Sequence, residues 1–202
     1  MRTDFDFNYD DQVNFNNFYY FHKAFSLEEI QKIHEVASAY EFITAVTDSI
    51  NEGNEDLELV RKSRIKWLKQ SDPRTHWIYD KIGEMAQKAN RELWKFDLTN
   101  MRESLQYTVY HKDSGHYDWH MDIAGGGIMT QRKISVTIEL TDHDKDYEGG
   151  VVQVNLGHSI KELPQSQGTA VLFPSFFVHR VTPVTKGKRT SLVLWIGGHH
   201  YK

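Results

Sequence analysis

Apolar positions change their spacing half-way along this chain, from a helical period to a two-residue alternation. After a polar, Asn- and Asp-rich start comes the apolar run Phe18-Tyr19-Tyr20-Phe21. Ser26-Leu27-Glu28-Glu29 has the form of a capping box, in which the serine side chain and the second glutamate satisfy each other's backbone N–H groups. Ile30, Ile33, His34, Val36 and Ala37 then mark one face of a helix to about Ala39. A strand is predicted near Phe42 to Val46, a polar loop over Asp48 to Glu55, and an extended segment over Leu59 to Leu68. Asp72-Pro73 supplies a cap and a first-turn proline. Trp77, Ile78, Ile82, Met85, Ala86 and Ala89 carry that second helix to about Trp94.

From Leu105 onward the period is two. Leu105–His111, Ile134–Leu140, Val151–Val154, Ala170–Phe173, Phe177–Val184 and Thr190–Ile196 read as strands. They are separated by turn signals at Asp113-Ser114-Gly115, Gly125-Gly126-Gly127, Glu148-Gly149-Gly150, Gly157, Gln167-Gly168 and Lys186-Gly187. Many short strands without intervening helices predict a sandwich or barrel, and helices that precede them predict a buttress on one side. The expected fold is mainly β with flanking helices (α+β). It is one domain over 1–202, with support from about 1–100 and a β-core over about 101–198.

Composition narrows the chemistry. The chain has 202 residues and no cysteine, so any metal must be held by His, Asp or Glu. No stretch of 18 apolar residues is present, and no membrane span is expected. The Met1-Arg2-Thr3-Asp4-Phe5-Asp6 start lacks the apolar core of a secretory signal, which makes a cytoplasmic location the expectation. A net charge of -4 disfavours non-specific nucleic-acid binding. Nothing in the sequence sets the oligomeric state.

Three His-x-Asp pairs occur: His111/Asp113, His116/Asp118 and His120/Asp122. Any one of them alone reads as a solvated turn. The first runs into a turn and the second opens a strand. The third lies within a strand, where residues two apart share a face. Trp119 and Met121 would then face the other way. His179, in Phe177-Val178-His179-Arg180-Val181, reads by itself as a core histidine satisfied by a backbone carbonyl. Arg189, after Lys186-Gly187-Lys188, reads by itself as a turn charge. A hairpin joining the two last strands would bring His179 and Arg189 together. Two imidazoles and one carboxylate on one side of a metal form the ligand set of non-haem Fe(II) oxygenases, which leaves coordination positions open. The planar fork of an arginine suits a carboxylate. Together these residues point to an Fe(II) enzyme with an acidic cosubstrate.

Six stretches, in order, carry a resemblance: Leu105-Gln106-Tyr107-Thr108-Val109-Tyr110; Gly115-His116-Tyr117-Asp118-Trp119-His120-Met121-Asp122; Tyr147-Glu148-Gly149-Gly150; Leu172-Phe173-Pro174-Ser175; Val178-His179-Arg180-Val181-Thr182-Pro183-Val184; and Gly187-Lys188-Arg189 running on to Trp195-Ile196. Over about Leu105 to Gly198 the chain resembles the 2-oxoglutarate- and Fe(II)-dependent dioxygenases, in their prolyl 4-hydroxylase-like branch. The resemblance implies a double-stranded β-helix (jelly-roll, cupin-like) core, with Fe(II) on His120, Asp122 and His179. Arg189 would meet the distal carboxylate of 2-oxoglutarate and the Tyr110 hydroxyl would reach the same cosubstrate. Tyr117 and Trp195 would lie near the substrate mouth. Tyr110 and Trp195 read equally well as packing residues. Glu139 departs from relatives that carry a tyrosine there, which leaves open the second hydrogen-bond partner of 2-oxoglutarate.

The implied reaction consumes O2 and 2-oxoglutarate, releases succinate and carbon dioxide, and hydroxylates a C–H bond. Ascorbate would act as reductant, and a proline in a peptide or protein would be the substrate. Residues 48–58 are the candidate lid, against the simpler reading of a surface loop, and Arg61, Ser63, Arg64 and Trp67 the candidate groove. Competing readings are hydroxylation of a small molecule or free amino acid on the same scaffold, nucleic-acid demethylation, a cupin-like metal-binding module without turnover, and a Zn(II) hydrolase. The last would need neither Arg189 nor Tyr110.

Overall fold

The computed structural model describes residues 17–45, 60–112, 115–123 and 126–200. The candidate lid at 48–58 lies outside the described residues, as do Asp113, Ser114 and Gly125 of the expected turns.

Helix α1 (Leu27–Ser38) begins as its sequence demands. The Ser26 hydroxyl accepts from the Glu29 N–H and the Glu29 carboxylate accepts from the Ser26 N–H, which closes the capping box. Asp72 caps a 3-10 turn (Pro73–Thr75) that leads into α2 (His76–Ala89), and a left-handed Lys95 ends the π-turn that follows it. The buried faces of both helices, Ile30, Ile33, Val36 and Ala37 with Ile78, Ile82, Met85, Ala86 and Ala89, are the positions the helical period marks.

The strands form two antiparallel sheets. The larger sheet follows the order β1 (Tyr19–Phe21), β12 (Ala170–Pro174), β8 (Arg132–Glu139), β14 (Val184–Gly198), β6 (Leu105–His111), β4 (Arg64–Leu68), β2 (Ile43–Thr44), with β5 (Leu98–Asn100) and β9 (Tyr147–Gly149) also on β14. The smaller sheet runs β11 (Ile160–Glu162), β10 (Val152–Asn155), β13 (Val178–Val181), β7 (His116–His120), β3 (Arg61–Lys62). This mostly β architecture is the expected jelly-roll. Among the described residues no helix is long and apolar enough to cross a membrane.

The central strands of the larger sheet are buried on both faces, for different reasons. Its outer face presents Leu105, Ile134, Val136, Ile138, Ala170, Leu172, Leu192 and Leu194 to the two helices, forming the main core. Its inner face presents Gln106, Ser135, Thr137, Ser191 and Arg189, which line a cavity between the sheets. A second apolar cluster, including Tyr147, Val154, Val171, Phe173, Phe177 and Val184, fills the rest of the gap between the sheets.

Two expectations are corrected. The Lys186-Gly187-Lys188 segment is not a turn: β14 runs unbroken from Val184 to Gly198. Gly187 is needed there because its φ is +68° and a Cβ would meet the Asp146 carbonyl oxygen at 1.9 Å. Nor do β13 and β14 form a hairpin. β13 pairs with β7 and β10, and β14 belongs to the opposite sheet, so His179 and Arg189 face the same cavity from opposite walls. Thr182-Pro183 makes the crossing, since proline has no N–H to continue a ladder.

Leu172 is fully buried in the main core. Leu172→Ala is expected to lower unfolding free energy by about 2–5 kcal/mol through lost contacts and a cavity, measured by urea denaturation. A loss well under 1 kcal/mol would mean that the helices do not depend on this face.

Candidate metal and cosubstrate site

Strand β7 ends at His120 and pairs antiparallel with β13, which sets His120 directly opposite His179. Asp122 lies just beyond the strand, where its N–H donates to the Ser175 carbonyl (3.1 Å) and its own carbonyl accepts from Arg132 Nη1 (2.9 Å). One ligand atom from each of His120, Asp122 and His179 lies within 4.8 Å of the others. The His120 Nε2 is 3.8 Å from Asp122 Oδ1 and the His179 Nε2 is 3.5 Å from Asp122 Oδ2. Three ligands about 2.1 Å from one ion lie roughly 3–3.5 Å apart, so small side-chain adjustments suffice to close the set.

The protons are already arranged for a metal. His120 Nδ1 lies 2.7 Å from the Asp118 carbonyl and His179 Nδ1 lies 2.9 Å from the Phe177 carbonyl. A carbonyl only accepts, so each Nδ1 carries the hydrogen and each Nε2 lone pair is bare, facing Asp122. Burial pushes His120 down to about 3, and neighbouring His179 adds to the effect, so His120 is neutral at ordinary pH. Burial opposes ionisation of Asp122, yet its carboxyl is held below the usual range by the two imidazoles and the Ser135 hydroxyl. Ser135 Oγ donates to Asp122 Oδ2 at 2.6 Å and also lies 3.0 Å from Ser175 Oγ.

The cavity of about 370 Å³ opens from this cluster. Arg189 lines its wall in the larger sheet, with the Tyr110 ring 5.4 Å from the guanidinium carbon. Tyr117 lies flat on the His120 ring, 3.4 Å between centroids at 15°, and the Arg61 guanidinium sits 4.5 Å from the centroid of the Tyr117 ring. Trp195 lines the cavity with Arg132 stacked 3.8 Å over its ring. Arg61, Trp67, Tyr110, Tyr117 and Trp195 thus share one cavity with the cluster. Ser63 and Arg64 do not line it: Ser63 accepts from Arg61 Nε at 2.8 Å, and Arg64 covers Phe42 on the exposed edge. Trp119 also points away, under Arg180, as strand alternation predicts, but Met121, expected to face away with it, lies beyond the strand end and lines the cavity.

A family profile described as the 2OG-Fe(II) oxygenase superfamily matches residues 105–197. A PKHD-type hydroxylase of Pseudoalteromonas atlantica is 31% identical over 171 residues, 69% of this chain and 75% of that protein. The chain belongs to the 2OG-Fe(II) oxygenase superfamily.

Within that superfamily the relatives it matches are described as PKHD-type hydroxylases. A PKHD-type hydroxylase of Alteromonas mediterranea is 35% identical over 91 residues, 43% of this chain. The alignment covers 40% of that protein's length, so the chain spans about two fifths of this relative. Among solved structures, a Trichoplax adhaerens prolyl hydroxylase in complex with a hypoxia inducible factor peptide fragment has a TM-score of 0.74 at 16% identity, over 93% of this chain and 86% of that one. A Pseudomonas putida prolyl-4-hydroxylase has a TM-score of 0.68 at 16% identity, over 90% and 92%. Both show a shared fold.

Several residues that shape the candidate site carry no motif. Ser135 and Arg132, which orient Asp122, escape a reading of the ligands alone. Arg132 in turn is held by Glu103, through Nε at 2.7 Å and a close Nη2 contact. Glu139, a departure in the sequence, is the bidentate partner of Arg189. A carboxylate directly after the apolar and hydroxyl-bearing run Ile134–Ile138 is the available signal, because a buried charge requires a partner.

The buried histidines set an acid limit. An unfolded histidine takes up its proton near pH 6.5, whereas folded His120 does so only near 3 and burial, assisted by Lys188, also holds His34 below its ordinary value. The unfolded state therefore binds more protons as pH falls below about 6.5, and stability drops across that window. The Tm of metal-free protein is expected to fall between pH 7.5 and 5, with a shallower slope in His120→Gln. A Tm that holds level or rises on acidification contradicts this arrangement.

Proposed function

We propose that this chain is an Fe(II)- and 2-oxoglutarate-dependent dioxygenase that hydroxylates an unactivated C–H bond, with a prolyl residue of a peptide or protein as the substrate. Its two halves would act as one catalytic domain. The observation that carries this reading is the His120–Asp122–His179 cluster, with bare Nε2 atoms and an ionised carboxylate, sharing one cavity with Arg189. Two nitrogens and one oxygen on one side suit Fe(II) and leave open positions.

When bound there, Fe(II) with 2-oxoglutarate and O2 supplies the oxidant, one oxygen atom going to the substrate C–H bond and the other to succinate as carbon dioxide leaves. The residues supply position and charge. His120 and His179 hold their ring planes through the Asp118 and Phe177 carbonyls, and Ser135 keeps Asp122 from rotating. Tyr117 shields the His120 ring from water. Arg189 offers N–H donors to the distal carboxylate of 2-oxoglutarate from the opposite wall, near Tyr110.

The substrate reading draws on the outer part of the cavity. Arg61 Nη2 and Trp195 Nε1 are buried donors with no hydrogen-bond partner in residues that line the cavity. Orphaned buried donors are unfavourable unless a ligand completes them, and the carbonyls of a peptide are suitable acceptors. Ile43 and Met121, half exposed at the cavity edge, provide an apolar rim for a pyrrolidine ring. A structural neighbour described as a prolyl hydroxylase in complex with a peptide fragment supports the same choice, and the PKHD-type relatives are described as hydroxylases.

The deciding assay is succinate formation under air with Fe(II), 2-oxoglutarate and ascorbate as reductant, with and without proline-rich peptides followed by mass spectrometry. Peptide-stimulated succinate with one added oxygen in the peptide is expected. Succinate without a modified peptide redirects the search to a small molecule. No succinate from protein that still binds metal overturns the oxygenase reading.

His179→Ala is expected to lose both Fe(II) binding and succinate production. Arg189→Ala is expected to raise the 2-oxoglutarate KM roughly a hundredfold or more, because it removes a charge-assisted contact and leaves Glu139 as an unpaired anion beside the incoming carboxylate. Circular dichroism controls for unfolding, and an unchanged KM in folded protein would refute the role of Arg189.

A further inference from the structure

Arg189 reaches the cavity already paired. Its Nε donates to Glu139 Oε2 at 3.1 Å and its Nη2 to Glu139 Oε1, a side-on, two-point contact between side chains that are both 1% exposed. A guanidinium has five N–H donors in a rigid fork. Glu139 takes two along one edge, and the three others belong to the remaining edges. Arg189 forms part of the cavity wall, while Glu139 does not line the cavity. The carboxylate is braced in turn: Tyr147 Oη donates to Glu139 Oε2 at 3.4 Å, and Gln165 Nε2 donates to Tyr147 Oη at 3.3 Å. Gly150 leaves room for the arginine stem, since at φ +59° a Cβ there would stand 3.1 Å from Arg189 Cδ.

The pair has two consequences. It fixes the orientation of the free edge of Arg189, and it cancels the arginine's charge where water cannot screen it. A distal carboxylate arriving at that edge gains hydrogen bonds but meets a site of no net charge, with a second anion directly behind the guanidinium. By Coulomb's law such a site favours a dicarboxylate over a neutral isostere far less than an uncompensated arginine would.

We propose that Glu139 is the residue that sets cosubstrate selectivity in this chain. By neutralising Arg189 it makes the distal subsite read hydrogen-bond acceptors more than charge. The subsite therefore admits 2-oxo acids whose far end is a neutral acceptor, such as the 5-amide of 2-oxoglutarate, alongside 2-oxoglutarate itself. The proposal rests on the assignment of the Arg189 end of the cavity to the cosubstrate. Glu139 acts through Arg189 and is a positioning residue.

The test is anaerobic calorimetric titration of the Fe(II)-loaded protein with 2-oxoglutarate and with its 5-amide, read as the ratio of the two Kd values. In the wild-type protein the ratio is expected to stay within about tenfold. Glu139→Gln, which keeps the volume and removes the charge, is expected to raise the ratio roughly tenfold or more in favour of 2-oxoglutarate. Glu139→Asp retains the charge and should keep the ratio near the wild-type value. A purely structural role would weaken both ligands alike and leave the ratio unmoved. An unchanged or lowered ratio in Glu139→Gln overturns the proposal, and so does a wild-type preference for 2-oxoglutarate above roughly a thousandfold. The wild-type measurement stands even if Glu139→Gln does not fold. Arg189→Ala separates the two levels. Unchanged affinities for both ligands in that variant overturn the cosubstrate assignment and the proposal with it. Weakened binding of 2-oxoglutarate in Arg189→Ala, together with an unmoved ratio in Glu139→Gln, overturns the proposal alone.

Discussion

The antiparallel pairing of β7 with β13 is the constraint on which the site depends. It sets His120 opposite His179, and directly opposed residues on one sheet face have Cβ atoms about 4.5–5.5 Å apart. Of the 58 positions between the two histidines only Asp122 belongs to the cluster; the rest carry the chain through the larger sheet and back. Because side chains alternate, slipping the register by one residue would send one imidazole to the outer face, where Trp119 and Arg180 now stack. Asp122 follows at the strand end, where the backbone is free to curl and is pinned instead by Ser175 and Arg132.

The second governing feature is the chemistry of the inner face of the larger sheet. A sandwich usually fills the space between its sheets with apolar side chains. Here β8 and β14 place Ser135, Thr137, Ser191, Arg189 and Glu139 on that face, and the space is part core, part cavity. Buried polar groups of this kind require partners. Ser135 finds Asp122, and Glu139 finds Arg189, Tyr147 and, through Tyr147, Gln165. Arg61 Nη2 and Trp195 Nε1 find none. Stability is drawn from the other face, where the helices cover an apolar wall, which lets the inner face serve a ligand.

Ion pairing has two characters in this molecule. Arg132 with Glu103 and Arg189 with Glu139 are largely or wholly out of water, and removing one partner would strand a charge. Lys186 with Glu148 and Lys32 with Glu28 lie on the surface and contribute little. The first buried pair holds the Asp122 backbone and the second the Arg189 edge.

Both helices, their caps and most strands were legible in the sequence, because local periodicity and capping chemistry act over a few residues. The candidacy of His120, Asp122, His179, Arg189, Tyr110, Tyr117, Trp195 and Arg61 was legible as well, although Asp122 lies beyond the end of β7 and joins His120 through a bend in the chain, not through the strand alternation expected of the pair. What the sequence could not settle is direction. The alternation Ile134-Ser135-Val136-Thr137-Ile138-Glu139 is the pattern of a strand with one face in water, yet every residue of β8 is buried. Periodicity reports that two faces differ; only the second sheet decides that the polar face looks into a cavity. For the same reason Lys186-Gly187-Lys188 reads as a turn but is a distorted stretch of one long strand, since its neighbour Asp146 comes from a distant part of the chain. The sequence by itself determined which residues can bear the chemistry. Tertiary structure alone decided which of them meet, and paired Glu139 with Arg189, because contacts between strands fifty residues apart have no local signature.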